Sequence, residues 1–204
     1  MAKIKICGLC RTEDIEYANT VFPDYVGFIF ALNRVRTVSI KKALDLKSRL
    51  RSEIIPVGVF LNQDMEYIKS IADKKIIKAV QLHGSEDDKF ILDLKKQLKL
   101  PIIKAFSITC KEDVKKACSS SADYILLDNK TPGSGQSFDW TLIKGINRPF
   151  FLAGGLSAEN IKEALTIDPY AVDVSSGVET KGKKDISKMK AFTDIIRQHR
   201  TSNA

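Results

Sequence analysis

Short apolar runs rich in β-branched residues recur along this chain, and no other feature narrows its fold as far. They are IKIC (4–7), YVGFIF (25–30), IIPVGVF (54–60), IIKAVQL (76–82), PIIKAF (101–106), DYILLD (123–128), RPFFLAG (148–154) and YAVDVS (170–175). Stretches with helical periodicity separate them, near 12–20, 39–51, 63–74, 86–98, 110–119, 139–145, 157–166 and 185–198. Several begin at a residue suited to an N-cap, Thr12, Ser39, Asp139 or Ser157, whose side-chain oxygen can accept an unpaired N–H of the first turn. Strands that are apolar throughout, rather than alternating, belong to a parallel sheet covered on its outer face by helices. Eight such units predict an α/β protein with a closed (β/α)8 barrel; a doubly wound open sheet is the alternative. No linker, charge block or low-complexity tract divides the 204 residues, so residues 1–204 are expected to form one barrel domain with a frayed tail at 200–204.

Charge bounds the partners. Lys and Arg number 33 against 25 Asp and Glu, and a net charge of +8 suits anionic small molecules, nucleic acid or an anionic membrane surface. Most lysines fall in KKALDLKSRLRSE, DLKKQLK and KGKKDISKMK, mixed with acidic residues in the manner of solvated helix faces. No aromatic stacking motif is interleaved with them, which argues against a nucleic-acid partner. No apolar run approaches the roughly 20 residues of a membrane span, and the first residues lead into a strand pattern without a signal-type segment. A cytoplasmic monomer with no membrane partner is expected, its Cys7, Cys10, Cys110 and Cys118 kept as thiols.

In a closed parallel barrel, chemistry collects at the C-terminal ends of the strands. Cys7 ends the first run, Arg36 follows the second, Gln81 and His83 leave the fourth, and Asp128 ends the sixth; AGGL follows the seventh, and Asp173 leads into SSGVE after the eighth. Structural zinc on Cys7 and Cys10 would need a second close pair, which the spacing of Cys110 and Cys118 does not provide, so no metal is expected. A redox pair would open a helix with its first cysteine, whereas Cys7 belongs to a strand and Gly8 makes a turn. Two readings remain for Cys7, an inert buried thiol or a proton-transfer group at the barrel mouth.

The glycine pair of LAGGLSAEN (Gly154, Gly155) and the SSG of DVSSGVE (Ser175, Ser176, Gly177) lie in the loops after strands 7 and 8, the recurrent phosphate location of such barrels. The alternative is that these glycines only make turns. Neither GxxxxGK[ST] nor GxGxxG is present, so no nucleotide triphosphate or dinucleotide is indicated.

Taken in order, KICGLCR, VGFIF followed by RTVS, PVGVF, VQLHG, LLD, GSGQSFDW, LAGGLSAENI and AVDVSSGVE resemble the phosphoribosylanthranilate isomerase family of tryptophan biosynthesis across nearly the whole chain. The resemblance implies a (β/α)8 barrel that binds a phosphosugar, N-(5-phosphoribosyl)anthranilate, and converts it by an Amadori rearrangement to 1-(2-carboxyphenylamino)-1-deoxyribulose 5-phosphate without metal or cofactor. It also implies Cys7 as general base, Asp128 as general acid and Arg36 as the grip on the anthranilate carboxylate. His83 and Asp173 would line the site, Asp173 toward the sugar hydroxyls. Such chemistry needs a proton on Asp128, which burial favours, and a thiolate at Cys7, which nearby positive charge favours. Arg34 competes with Arg36, and Trp140 is expected to pack rather than to touch substrate. The chain departs from the family at Cys10, where threonine is expected, at ALNRV (31–35) in place of Ser-Pro, and at TPGSGQ (131–136) in place of a Gly-Gly-Thr-Gly loop whose mobility Gly133 and Gly135 would preserve. Related phosphosugar barrels are the alternatives: ProFAR isomerase would place an aspartate at residue 7, and indole-glycerol phosphate synthase would use lysine and glutamate. A catalytically silent basic protein binding anions or nucleic acid is the reading from another class.

Overall fold

A computed structural model describes residues 2–31, 35–129 and 137–202. The eight apolar runs become β1 (Lys3–Cys7), β2 (Tyr25–Ile29), β3 (Ile55–Phe60), β4 (Ala79–Leu82), β5 (Ile102–Ser107), β6 (Tyr124–Asp128), β7 (Phe150–Leu152) and β8 (Ala171–Val174). Each pairs in parallel with the next, and β8 returns to β1 with Lys3 opposite Ala171 and Lys5 opposite Asp173. The sheet is therefore a closed barrel, and the open doubly wound arrangement is excluded.

Strand alternation divides each strand between two cores. Ile4 and Ile6 of β1 are buried toward the helical shell, while Lys5 and Cys7 occupy the alternate positions that face the barrel axis. Val57, Ala79, Ile103, Leu126, Phe151 and Ala171 fill the interior, and the hydroxyls of Tyr25 and Tyr124 meet that of Tyr170, at 3.1 and 3.4 Å, near the strands' N-terminal ends. One glycine is dictated by this packing. Gly27 stands opposite Cys7 in the β1–β2 register, and a Cβ there would lie 2.7 Å from the Cys7 sulfur, so any larger residue would displace the thiol.

The shell is built by α1 (Thr12–Val21), α2 (Ile40–Arg49), α3 (Met65–Asp73), α4 (Asp88–Gln97), α5 (Lys111–Cys118), α6 (Ile161–Leu165) and α7 (Ile186–Ser202). Ser39 caps α2 as expected, accepting from the Lys42 N–H. α1 begins at residue 12 as expected, but its cap falls one residue earlier. Arg11 rather than Thr12 is the N-cap, and the Asp14 carboxylate in the first turn accepts from the Cys10 and Arg11 N–H groups at 2.9 and 3.0 Å.

Other expectations are corrected. The span 139–145 holds only a 3₁₀ turn, Trp140–Ile143, which Asp139 caps through the Thr141 N–H. The span 157–166 contracts to the five-residue α6, whose N-cap is Asn160; Ser157 instead ends the preceding loop and accepts from the Glu159 N–H. Ile76 and Ile77 are buried but precede β4, because apolarity reports burial and not strand pairing. A small antiparallel hairpin, β9 (Glu179–Thr180) and β10 (Lys183–Lys184), separates β8 from α7. Arg34, most of the 31–35 departure, Gly133, Gly135 and the 131–136 loop lie outside the described residues. No helix among the described residues is long and apolar enough to cross a membrane.

Candidate active site

The C-terminal ends of the strands surround a cavity of about 480 Å³. Cys7 from β1, Arg36 from the loop after β2, Gln81 and His83 from β4 and its exit, and Asp128 from β6 all line it. Gly154 and Gly155 from the loop after β7, and Asp173, Ser175 and Ser176 from β8 and its loop, complete the wall. Of the site residues expected from the sequence, only Gly177 does not line this cavity. A Cβ on Gly177 would fall 1.9 Å from the Leu156 carbonyl oxygen, so its glycine lets the loops after β7 and β8 interlock.

Beneath Cys7 lies a charged pair that the sequence reading did not single out. Lys5, two residues before Cys7 on the same face of β1, is fully buried and places Nζ 2.7 Å from Asp173 Oδ2. Burial works against the lysine charge, yet Asp173 and the Cys7 sulfur outweigh it and hold the Lys5 pKa above its ordinary value. Burial pushes the Asp173 carboxyl up, with Lys5 opposing it. Asp173 Oδ1 is buried without a partner among the described residues, and the residue lines the cavity.

The thiol itself departs from expectation. Burial by the surrounding protein pushes the Cys7 pKa up; Lys5, Lys184 and Arg36 pull it down, and Asp173 adds to the rise. The cations needed to favour a thiolate are present, but the packed mouth and the Asp173 charge outweigh them.

Across the cavity, Asp128 Oδ1 accepts from the Asn129 N–H at 2.7 Å, and Oδ2 faces His83 Nε2 at 3.5 Å. His83 Nδ1 lies 2.8 Å from the Gln81 amide nitrogen. Gln81 is 1% exposed, and its Oε1 has no partner among the described residues.

Arg36 reaches the cavity from the other side. Its Nη1 donates to Ser175 Oγ at 2.7 Å and forms an ion pair with Glu179. Glu179 also holds Lys184, whose Nζ lies 2.6 Å from Oε1 and donates to the Ser175 carbonyl at 2.9 Å. Burial pushes the Lys184 pKa down while Glu179 opposes the shift. Lys184 is buried on β10 and is no part of a solvated helix face, which corrects the reading of KGKKDISKMK. The signal was the turn. Lys181 and Gly182 both have positive φ, the conformation of a two-residue hairpin loop, and a lysine–glycine pair between short strands suits it.

A closed (β/α)8 barrel that gathers a thiol, a carboxyl, an anchored arginine and two glycine–serine loops at one mouth has the architecture of a barrel enzyme, with groups suited to proton transfer and to holding an anionic small molecule. Residues 4–195 match the family model of N-(5'-phosphoribosyl)anthranilate (PRA) isomerase. The N-(5'-phosphoribosyl)anthranilate isomerase of Thermoanaerobacter pseudethanolicus is 45% identical over 97% of this chain and 98% of its own length. The crystal structure of phosphoribosyl anthranilate isomerase from Thermotoga maritima superposes with a TM-score of 0.89 at 36% identity, covering 97% of this chain and all of that one. A phosphoribosyl anthranilate isomerase in complex with reduced 1-(o-carboxyphenylamino)-1-deoxyribulose 5-phosphate has a TM-score of 0.87 at 34% identity, with 97% and 100% of the two chains covered. The chain belongs to the phosphoribosylanthranilate isomerase family of tryptophan biosynthesis.

Proposed function

We propose that this mouth converts N-(5-phosphoribosyl)anthranilate to 1-(2-carboxyphenylamino)-1-deoxyribulose 5-phosphate, with Asp128 as general acid and Cys7 as general base. The single observation that carries the reading is the opening of Cys7 and Asp128, from β1 and β6, into one cavity. A relative that holds the reduced form of this product at 34% identity supports the substrate class.

The steps follow from the groups present. The Asp128 carboxyl gives its proton to the ribose ring oxygen as the C1–O bond breaks, and the anilino nitrogen lone pair closes a C1=N iminium. The positive iminium acidifies the C2 hydrogen, which the Cys7 thiolate removes, leaving an enolamine that tautomerises to the C2 ketone. Burial favours the Cys7 thiol, so the base acts from the fraction of enzyme whose Cys7 proton has already gone to solvent, a fraction that Lys5, Lys184 and Arg36 enlarge. Ring opening precedes proton removal from C2, because only the iminium makes that hydrogen acidic.

Anchoring divides between the two ends of the substrate. The anthranilate carboxylate is taken by the Arg36 guanidinium, whose Nη1 is fixed by Ser175 and Glu179. The phosphate lies against the backbone of Gly154, Gly155, Ser175 and Ser176. Asp173 Oδ1 accepts a sugar hydroxyl. The test is direct: the purified chain, treated with chelator, is expected to isomerise freshly generated phosphoribosylanthranilate. No turnover by folded protein would refute the assignment.

A further inference from the structure

We propose that Gln81 is a positioning residue of the reaction, fixing the His83 imidazole as the Nε2–H tautomer so that it presents a donor to the Asp128 carboxyl. The inference rests on the reading of Asp128 as the acid, but its geometry is separate. The Gln81 amide nitrogen carries only donors, and it lies 2.8 Å from His83 Nδ1. Nδ1 must then be the acceptor, which leaves the ring hydrogen on Nε2, and Nε2 faces Asp128 Oδ2 at 3.5 Å. That separation is long for a hydrogen bond, so the contact is an electrostatic facing of the two groups. The Asn129 N–H holds the other carboxyl oxygen at 2.7 Å, so the two contacts together orient the carboxyl over the cavity.

The free end of the amide supports a functional placement. Gln81 is 1% exposed, yet Oε1 has no partner among the described residues and the side chain lines the cavity. Buried polar atoms are rarely left unpaired in a folded protein. A glutamine kept only for packing would satisfy both ends; this one is held through its amide nitrogen alone, on the wall of the cavity.

The chain has only two histidines, His83 and His199, which makes the tautomer measurable by ¹⁵N NMR, with His199→Gln assigning the signals. At about pH 8, where an ordinary imidazole is neutral, His83 is expected to carry its hydrogen on Nε2. Gln81→Glu replaces the donor with an acceptor and should move the hydrogen to Nδ1 or give a doubly protonated ring. Gln81→Met, which keeps the volume, should release the ring into a tautomer mixture. Both variants, checked for folding by circular dichroism, should lose about 10- to 100-fold in kcat through misplacement of the reacting carboxyl. A wild-type ring protonated on Nδ1, or a Gln81→Glu variant that retains Nε2–H, would overturn the proposal, as would full kcat in both folded variants. Active Asp128→Asn together with altered tautomers in the Gln81 variants would locate the failure in the choice of acid, leaving the control of His83 by Gln81 in place.

Discussion

Lys5 Nζ lies 2.7 Å from Asp173 Oδ2 at the seam where β1 and β8 close the barrel, so the cation two residues before the thiol on β1 is also part of the closure. Both residues are nearly inaccessible, at 0% and 8%. Breaking such a pair from one side strands a buried charge, which costs about 3–5 kcal/mol, whereas removing both partners is far milder. Lys5→Met is therefore expected to lower stability by about that amount in urea titrations, and Lys5→Met combined with Asp173→Asn to recover most of it. Additive losses would show that the two residues do not act as a pair.

The same lysine opposes the upward push on the Cys7 thiol. Since burial raises the Cys7 pKa above the ordinary 9.0, the free enzyme binds this proton to higher pH and the thiolate fraction grows tenfold per unit below the titration. Alkylation of Cys7 by iodoacetamide, which reads the thiolate alone, is thus expected to speed up with pH through neutrality and past pH 9. Lys5→Met, lacking the cation that acts most strongly on the thiol, should move this labelling profile further up. A labelling rate that levels off below neutrality would contradict this account of the thiol.

Gly27→Ala tests the space around the sulfur. The added Cβ would come within 2.7 Å of Cys7 Sγ, a distance that forces the thiol or β2 to move. A loss of about 100-fold in turnover, with about 1–3 kcal/mol of destabilisation from overpacking, is expected in steady-state kinetics and thermal melts.

Glu179 joins Arg36 to Lys184, whose side chain is 1% exposed. Glu179→Gln removes the charge that balances both cations, so KM should rise at least about tenfold as the guanidinium loses its anchor. Stability should fall by about 3–5 kcal/mol because Lys184 remains buried without a carboxylate. Unchanged KM in a folded variant would separate Glu179 from substrate binding.

The strand order and most of the mouth were readable because parallel strands are apolar throughout and because barrel chemistry gathers at strand ends. That logic located Cys7, Asp128, His83 and the loops carrying Gly154 and Ser175 before any coordinates. It failed where a polar residue is buried against another polar residue far along the chain. Lys5 meets the expected Asp173 from 168 residues away, and Lys184 is written among solvated lysines, so no local pattern distinguishes either lysine. Short elements were misjudged for a related reason. α6 and the 3₁₀ turn at Trp140 are held by the shell around them, with too few residues for periodicity to set their bounds.

Substitution of the two residues across the mouth tests the central claim most directly. Cys7→Ala and Asp128→Asn, assayed by the fluorescence of the anthranilate substrate, are each expected to retain the fold and lose at least about 100- to 10,000-fold in kcat. Near wild-type turnover in either variant would contradict the division of acid and base between them.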